Sequence, residues 1–237
     1  MFRRPLIRRA LAGGIAVLAM GALTLGGVTA AGAVSAANAT AAQNAVFFVN
    51  IQQQSDGTIG TSVSETQDAA LAIAGNAQTT SEWNPAEGRD AVAAVKNNGH
   101  SPIDALVANA QSVGFLPSEA ARTIVLVAAP LGFDPVNFGG VNLVAKVRSG
   151  ANGDGSYGGM FQFDDTVYSA LALRLATGSV PADTLTYIRG AQQSDGGWNI
   201  SGINNGAVSD AEHTGKALMA LIAGGAVADD PAVRAGV

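Results

Sequence analysis

The sequence predicts an all-α fold built from repeated helical hairpins, and three observations predict it. A glycine-turn segment occurs twice in one pattern, an Ala/Leu-rich helix occurs three times in one register, and most of the 8 prolines stand where helices begin. No run alternates polar and apolar residues between hairpin turns, so strands are not expected.

The chain opens on a leader. Arg3, Arg4, Arg8 and Arg9 form a basic start, residues 11–28 are uncharged and largely apolar, and Ala31-Gly32-Ala33, Val34-Ser35-Ala36 and Ala37-Asn38-Ala39 each have the small-x-small form of a cleavage site. This is the pattern of a secretory signal peptide over residues 1–36, cleaved between 33 and 39. Arg3-Arg4-Pro5-Leu6-Ile7-Arg8 also resembles a twin-arginine export motif. The alternative is an uncleaved membrane anchor, because the 18 residues 11–28 can just span a bilayer. Either way the remainder is expected outside the cytoplasm, secreted or in the cell envelope.

Four of the 13 Lys+Arg lie in the leader and all 18 Asp+Glu follow it, which leaves 9 bases against 18 acids and a net charge near −9. That balance argues against nucleic acid as a partner. Without cysteine an exported chain has no disulfides and is held by packing alone. Its roughly 200 residues suffice for one sizeable core.

The repeat starts at Phe48-Val49, followed by Gln53, Gly57 and Ile59, in the order aromatic, aliphatic, three residues, Gln, three residues, Gly, one residue, large apolar. The same order returns at Tyr187-Ile188, Gln192, Gly196 and Trp198. After each turn comes the helix pattern, with Thr66-Gln67-Asp68-Ala69-Ala70-Leu71-Ala72-Ile73 the first copy, Thr166-Val167-Tyr168-Ser169-Ala170-Leu171-Ala172-Leu173 the second and Thr214-Gly215-Lys216-Ala217-Leu218-Met219-Ala220-Leu221 the third. Pro85, Pro102, Pro117, Pro135, Pro181 and Pro231 fit the first helical position, whose amide has no intrahelical partner. Asn84, Ser101, Asp134 and Asp230 precede four of them as N-caps. A third glycine turn, Asn152-Gly153-Asp154-Gly155-Ser156-Tyr157, places Gly155 98 positions after Gly57 and 41 before Gly196. The longer interval holds one degenerate unit, read at Gln111-Ser112-Val113-Gly114-Phe115 with a helix over residues 118–129. The expectation is a unit of helix, glycine turn and helix, repeated four times over residues 40–237.

The segments ending at Trp198 and Ile59 resemble the glutamine-tryptophan motif of squalene cyclases and related terpenoid cyclases. The helical repeat resembles the α/α toroid that these share with protein prenyltransferase β subunits and with cobalamin carriers of the intrinsic factor type. The resemblance covers residues 41–230, with Ile59 standing where the motif has Trp. It implies an α/α toroid in which Gln53, Gly57, Gln192, Gly196 and Trp198 are structural, the glutamine binding backbone groups at a helix end and lying against the indole. Such rings close with about six hairpins. The four hairpins here, with Asp229-Asp230-Pro231 opening a further helix before Val237, are therefore expected to be part of an incomplete ring whose missing repeats belong to a longer protein.

The same resemblance singles out Gln162-Phe163-Asp164-Asp165-Thr166. Class II terpenoid cyclases carry D-x-D-D followed by Thr, where the middle Asp protonates an alkene or epoxide. Asp164, Asp165 and Thr166 match, and Gln162 replaces the first Asp. The resemblance makes Asp164 the proton donor and Asp165 its partner, a role that depends on the hydrogen bonds around the acid. The other reading has Asp164 or Asp165 capping a helix that begins at Thr166, as Ser64-Glu65 and Glu212-His213 would cap the equivalent helices.

Cation chemistry favours cavities lined by aromatic rings, and aromatics are only 5% of the chain. A prenyltransferase zinc site needs Cys, which is absent, and His100 and His213 lack metal-ligand spacing, so each reads as a loop or cap residue. Asn152-Gly153-Asp154-Gly155-Ser156 alternates oxygen side chains as a calcium loop does, but Phe163 falls where that loop has its last carboxylate, and a plain turn is expected. No metal and no cofactor is therefore expected. The function expected is an exported binding or structural module for an apolar or corrinoid-like ligand, held against small inner-helix residues such as Ala69, Ala72, Ala170 and Ala172. The alternative is a terpenoid-cyclase-like enzyme with Asp164 as acid.

Overall fold

The computed structural model describes residues 36–159 and 161–237. The leader read over residues 1–36 lies outside them except for Ala36. Among the described residues the secondary structure is helical, with ten α-helices and no strand; antiparallel pairing is confined to isolated bridges such as Gln53 with Ile59, Ala151 with Tyr157 and Trp198 with Asp210. No helix among them is long and apolar enough to cross a membrane.

Two compact units divide the chain. The first takes residues up to Ser112 together with Leu126–Asp134, and the second takes Val113–Val125 and Pro135–Val237.

In the first unit, α1 (Ala36–Asn50), α2 (Val63–Asn76), α3 (Pro85–Ala94) and α4 (Pro102–Ala110) are successive neighbours, with α2 packed on the other three. Their ends follow from the side chains. Ser62 accepts the Glu65 N–H, Asn84 accepts from Ala86 and Glu87 ahead of Pro85, and Ser101 and Asp104 form a reciprocal capping box around Pro102. Leu71, Ile73, Val92 and Leu106 are buried in the core, each contributing about 1.5–3 kcal/mol. Gly88 lets α3 lie close on α2, since a Cβ there would stand 2.9 Å from that of Ala74. Trp83 fixes the returning segment by donating to the Pro130 carbonyl at 2.7 Å.

The second unit holds α5 (Pro117–Thr123), α6 (Leu143–Arg148), α7 (Gln162–Thr177), α8 (Ala182–Gly190), α9 (Ala211–Ala223) and α10 (Pro231–Ala235). α7 is its centre and touches α5, α6, α8 and α9. The buried face of α7 is Phe163, Val167, Ala170, Leu171 and Leu173, and the helix ends at Gly178 in the left-handed conformation, donating back to the Arg174 carbonyl. α5 passes into a buried π-helical turn, Ile124–Ala128, whose residues from Leu126 onward belong to the first unit.

Several expected boundaries are corrected. The helix carrying the acidic pair starts at Gln162 instead of Thr166, so Asp164 and Asp165 lie inside its first turn and do not cap it. First-turn carboxylates suit the positive end of the helix dipole, which is why the helix can extend over them. The caps of α2 and α9 are Ser62 and Asp210, upstream of Ser64-Glu65 and Glu212-His213. Asp134-Pro135 begins no helix: the Pro135 carbonyl accepts the Leu143 N–H and Phe138 bridges Val141, so the backbone groups are consumed in a turn. Pro181 is the residue before α8 and not its first. The degenerate unit read at Gln111–Phe115 with a helix over residues 118–129 is matched by the turn after α4 and the helical run from Pro117 to Ala128, and a further bridged turn, Asn97 with His100, lies upstream of it.

Candidate functional site

The glycine turns are built alike. Gln53 Nε2 donates to the carbonyls of Gly57 at 3.4 Å, Val95 at 3.3 Å and His100 at 3.1 Å. Gln192 Nε2 donates to those of Gly196 at 2.6 Å and Ala232 at 2.8 Å. In each case one amide ties its own turn to backbone about 40 residues ahead, across neighbouring helices. Gly57 and Gly196 both have φ of +91°, and a Cβ on either would fall 2.2 Å from the Ser101 carbonyl oxygen or 2.1 Å from that of Ala235. Trp198 is fully buried and its Nε1 donates to the Ile188 carbonyl at 2.7 Å.

The threonines at the end of the first turn of the repeated helices do one job. Thr66 Oγ1 accepts the N–H of Ile59 at 3.0 Å, Thr166 that of Tyr157 at 2.9 Å and Thr214 that of Trp198 at 3.0 Å. The sequence aligned these three threonines without showing what they bind; their recurrence two residues before Asp68, Tyr168 and Lys216 was the signal. The residue before each threonine also has a place. Glu65 accepts from the Thr61 N–H at 2.6 Å, and Asp165 accepts from the Gly159 N–H at 3.4 Å, each closing the chain just after its turn. In the third copy that place is taken by His213.

Asp164 belongs to a different set of contacts. Both its oxygens accept from the Lys216 ammonium, at 3.0 and 3.1 Å, and Lys216 also donates to Glu212 at 2.8 Å. His213, buried on the same helix, faces Asp210 with Nδ1 at 2.7 and 2.8 Å and Asp164 with Nε2 at 3.5 Å. The imidazole stands 6.2 Å from the Phe163 ring, and the charges of Arg122 and Lys216 lie 4.7 and 5.7 Å from the centre of the Tyr168 ring. His213 is thus a core residue of α9 and neither a loop nor a cap residue. The sequence reading gave Glu212 and His213 only a capping or loop role and gave Lys216 none, although a single lysine in an otherwise Ala/Leu-rich helix was a visible signal.

The electrostatics follow from these neighbours. Burial alone would depress Lys216, but the hydrogen bond to Glu212 and the charge of Asp164 outweigh it and hold the ammonium above its ordinary range. Glu212 is held below the usual carboxylate range, first by its hydrogen bond with Lys216. Burial raises Asp165, with the Asp164 charge adding to it against the Gly159 N–H and Arg122. For Asp210 burial acts upward but is outweighed by the bonds from His213, and the net direction is down. Chemically this is an ionic tie between α7 and α9, with its acidic oxygens facing donors.

The clefts do not include the Asp164–Lys216 pair. One of about 260 Å³ in the first unit is lined by Asp56, Thr58, Val63, Thr66, Leu106 and Asn109, among others. One of about 470 Å³ in the second unit is lined by residues that include Asp195, Ser209, Asp210, Thr214, Leu218 and Gly236. Asp164 and Lys216 line neither. Among the described residues no cluster of His, Asp and Glu is arranged to hold a metal ion. No family model matches the chain, and no curated protein matches it.

Proposed function

We propose that the chain is an exported helical-hairpin repeat domain of the α/α-toroid type, related to the terpenoid cyclase and prenyltransferase architecture, that serves as a non-catalytic binding or structural module. The observation that carries this reading is the Lys216 ammonium on both oxygens of Asp164. An acid that protonates an alkene must hold a proton and face a cavity; Asp164 faces an ammonium and lines neither cleft. Asp165 supports it too, occupying the place that Glu65 has in the first repeat, where the carboxylate closes the turn. Export rests on the leader read in residues 1–36.

The ligand class proposed is apolar or corrinoid-like, as the resemblance to the α/α toroids implies. Native mass spectrometry of the protein purified from its own source tests this. A retained apolar compound or corrinoid supports the binder, and a protein that retains neither overturns the ligand class.

The cyclase alternative draws on one feature, the burial that raises Asp165. Incubation with a polyprenyl substrate decides it. No cyclised product is expected, whereas product formation lost in Asp164→Asn would replace the binder by an enzyme.

A further inference from the structure

The helix α1 is apolar on two opposite sides. It packs on α2, and its buried and half-buried residues Val46, Val49 and Asn50 share one side. Ala41, Asn44, Phe48 and Ile51 follow one another at steps of three, four and three residues on the other side, and all four are exposed, Phe48 by 47% and Ile51 by 59%. Phe47 flanks this stripe at 67% exposure, and the Ile51 N–H continues the helix by donating to the Phe47 carbonyl at 3.1 Å. A single exposed aliphatic residue on a surface means little. Among the described residues no other α-helix exposes more than one large apolar side chain, Leu175 on α7 and Ile222 on α9 being the cases.

We propose that this stripe pairs with the same stripe of a second copy of the chain, the two α1 helices running antiparallel about Asn44. The spacing is the first reason. Alternating steps of three and four residues make the seam along which two helices pack side by side.

The order of sizes is the second. Antiparallel pairing about Asn44 places the ring of each copy's Phe48 over the other copy's Ala41, large against small, and brings the two Asn44 side chains together at the twofold axis. Each carboxamide can there donate to the other and accept from it, and a buried Asn pair of this kind fixes the register of paired helices. Parallel pairing would instead set Phe48 against Phe48 and Ala41 against Ala41, with rings colliding in one layer and a gap in the next.

Charge is the third. After the leader the chain carries 9 bases against 18 acids, so two copies repel one another in general. Residues 36–55 carry no charge, and α1 can meet its like without setting carboxylate against carboxylate. The stripe begins at Ala41, beyond each of the cleavage points read between 33 and 39, so it stays whole in the exported chain. Such a contact is self-complementary and closes at two copies. One helix pair is a small interface, so the dimer is a dissociable one.

Sedimentation velocity of the full chain over a dilution series reads the pairing. A dimer that falls apart on dilution is expected, and Phe48→Glu, which puts a carboxylate into each apolar layer, should leave a monomer with an unchanged helical circular dichroism spectrum. Because the chain has no cysteine, Asn44→Cys reads the register: on mild oxidation it should form a chain-to-chain disulfide severalfold faster than Gln43→Cys, which lies off the stripe. A full chain that stays monomeric at every concentration, a Phe48→Glu variant that dimerises as the parent does, or equal cross-linking at positions 43 and 44 overturns the proposal. So does a monomer that binds phosphatidylcholine vesicles and loses them in Phe48→Glu, which would assign the stripe to a lipid surface.

Discussion

The Lys216 ammonium lies 3.0 and 3.1 Å from the two oxygens of Asp164, joining the first turn of α7 to α9 across 52 residues of sequence. Their side chains are 15% and 26% exposed, so water screens the pair only in part. Asp164→Asn should lower stability by about 1–3 kcal/mol at neutral pH, because it removes a partly buried charge partner. Lys216→Met should cost a similar amount. The double variant should lose less than the two losses added, since neither charge is then left alone. Additive losses in urea unfolding would show that the pair has no coupling.

Gly196→Ala should be among the most damaging single-methyl changes in the chain. The residue is left-handed and its new Cβ would sit 2.1 Å from the Ala235 carbonyl oxygen, a backbone atom that cannot rotate away. A loss of at least about 2 kcal/mol is expected. Gly190→Ala, where nothing stands within 4 Å of the Cβ, should lose far less and serves as the comparison. Thermal unfolding of the two variants separates them.

The helical class was legible because its signals are local: caps, prolines and Ala/Leu periodicity act within a few residues. Asn84, Ser101 and Asp230 cap helices as their positions before proline suggest. Asp134-Pro135 carries the same local signal and starts no helix, because the Phe138–Val141 turn and the Leu143 N–H take the backbone groups. Local chemistry cannot rank these competitors. The candidate site was less legible still. Asp164 stood out through its neighbours in sequence, but its environment comes from Lys216 and His213 on another helix, and only packing brings them together.

Acid should weaken the glycine turns. Asp56 is held below the usual carboxylate range first by its hydrogen bond from the Thr58 hydroxyl, Asp154 by that from Ser156, and Asp195 by the Ser209 N–H. With the folded values depressed, the unfolded chain binds protons first as pH falls. The stabilisation is thus present above the ordinary carboxylate range and is lost as pH drops through the lowered values. The melting midpoint should fall between pH 5 and pH 2, and less steeply in the triple variant Asp56→Asn, Asp154→Asn, Asp195→Asn. An unchanged slope would mean that these turns are not the acid-sensitive elements.

Asp165 should behave in the opposite sense to its neighbour. Burial, then the Asp164 charge, raises it, so the folded chain binds this proton more readily than the unfolded chain does. Its contribution is favourable below the ordinary carboxylate range and is lost as pH rises through the raised value, which leaves an ionised, half-buried carboxylate at neutral pH. Asp165→Asn removes that charge while keeping an oxygen to accept the Gly159 N–H. Stability at pH 7 should therefore hold or rise in Asp165→Asn where it falls in Asp164→Asn. Chemical denaturation of the two variants at pH 7 and at pH 4 measures this, and the gap between them should narrow at the lower pH as Asp165 protonates where it is present. Equal losses in both variants at pH 7 would place Asp165 in the ionic tie with Lys216 instead of at the turn.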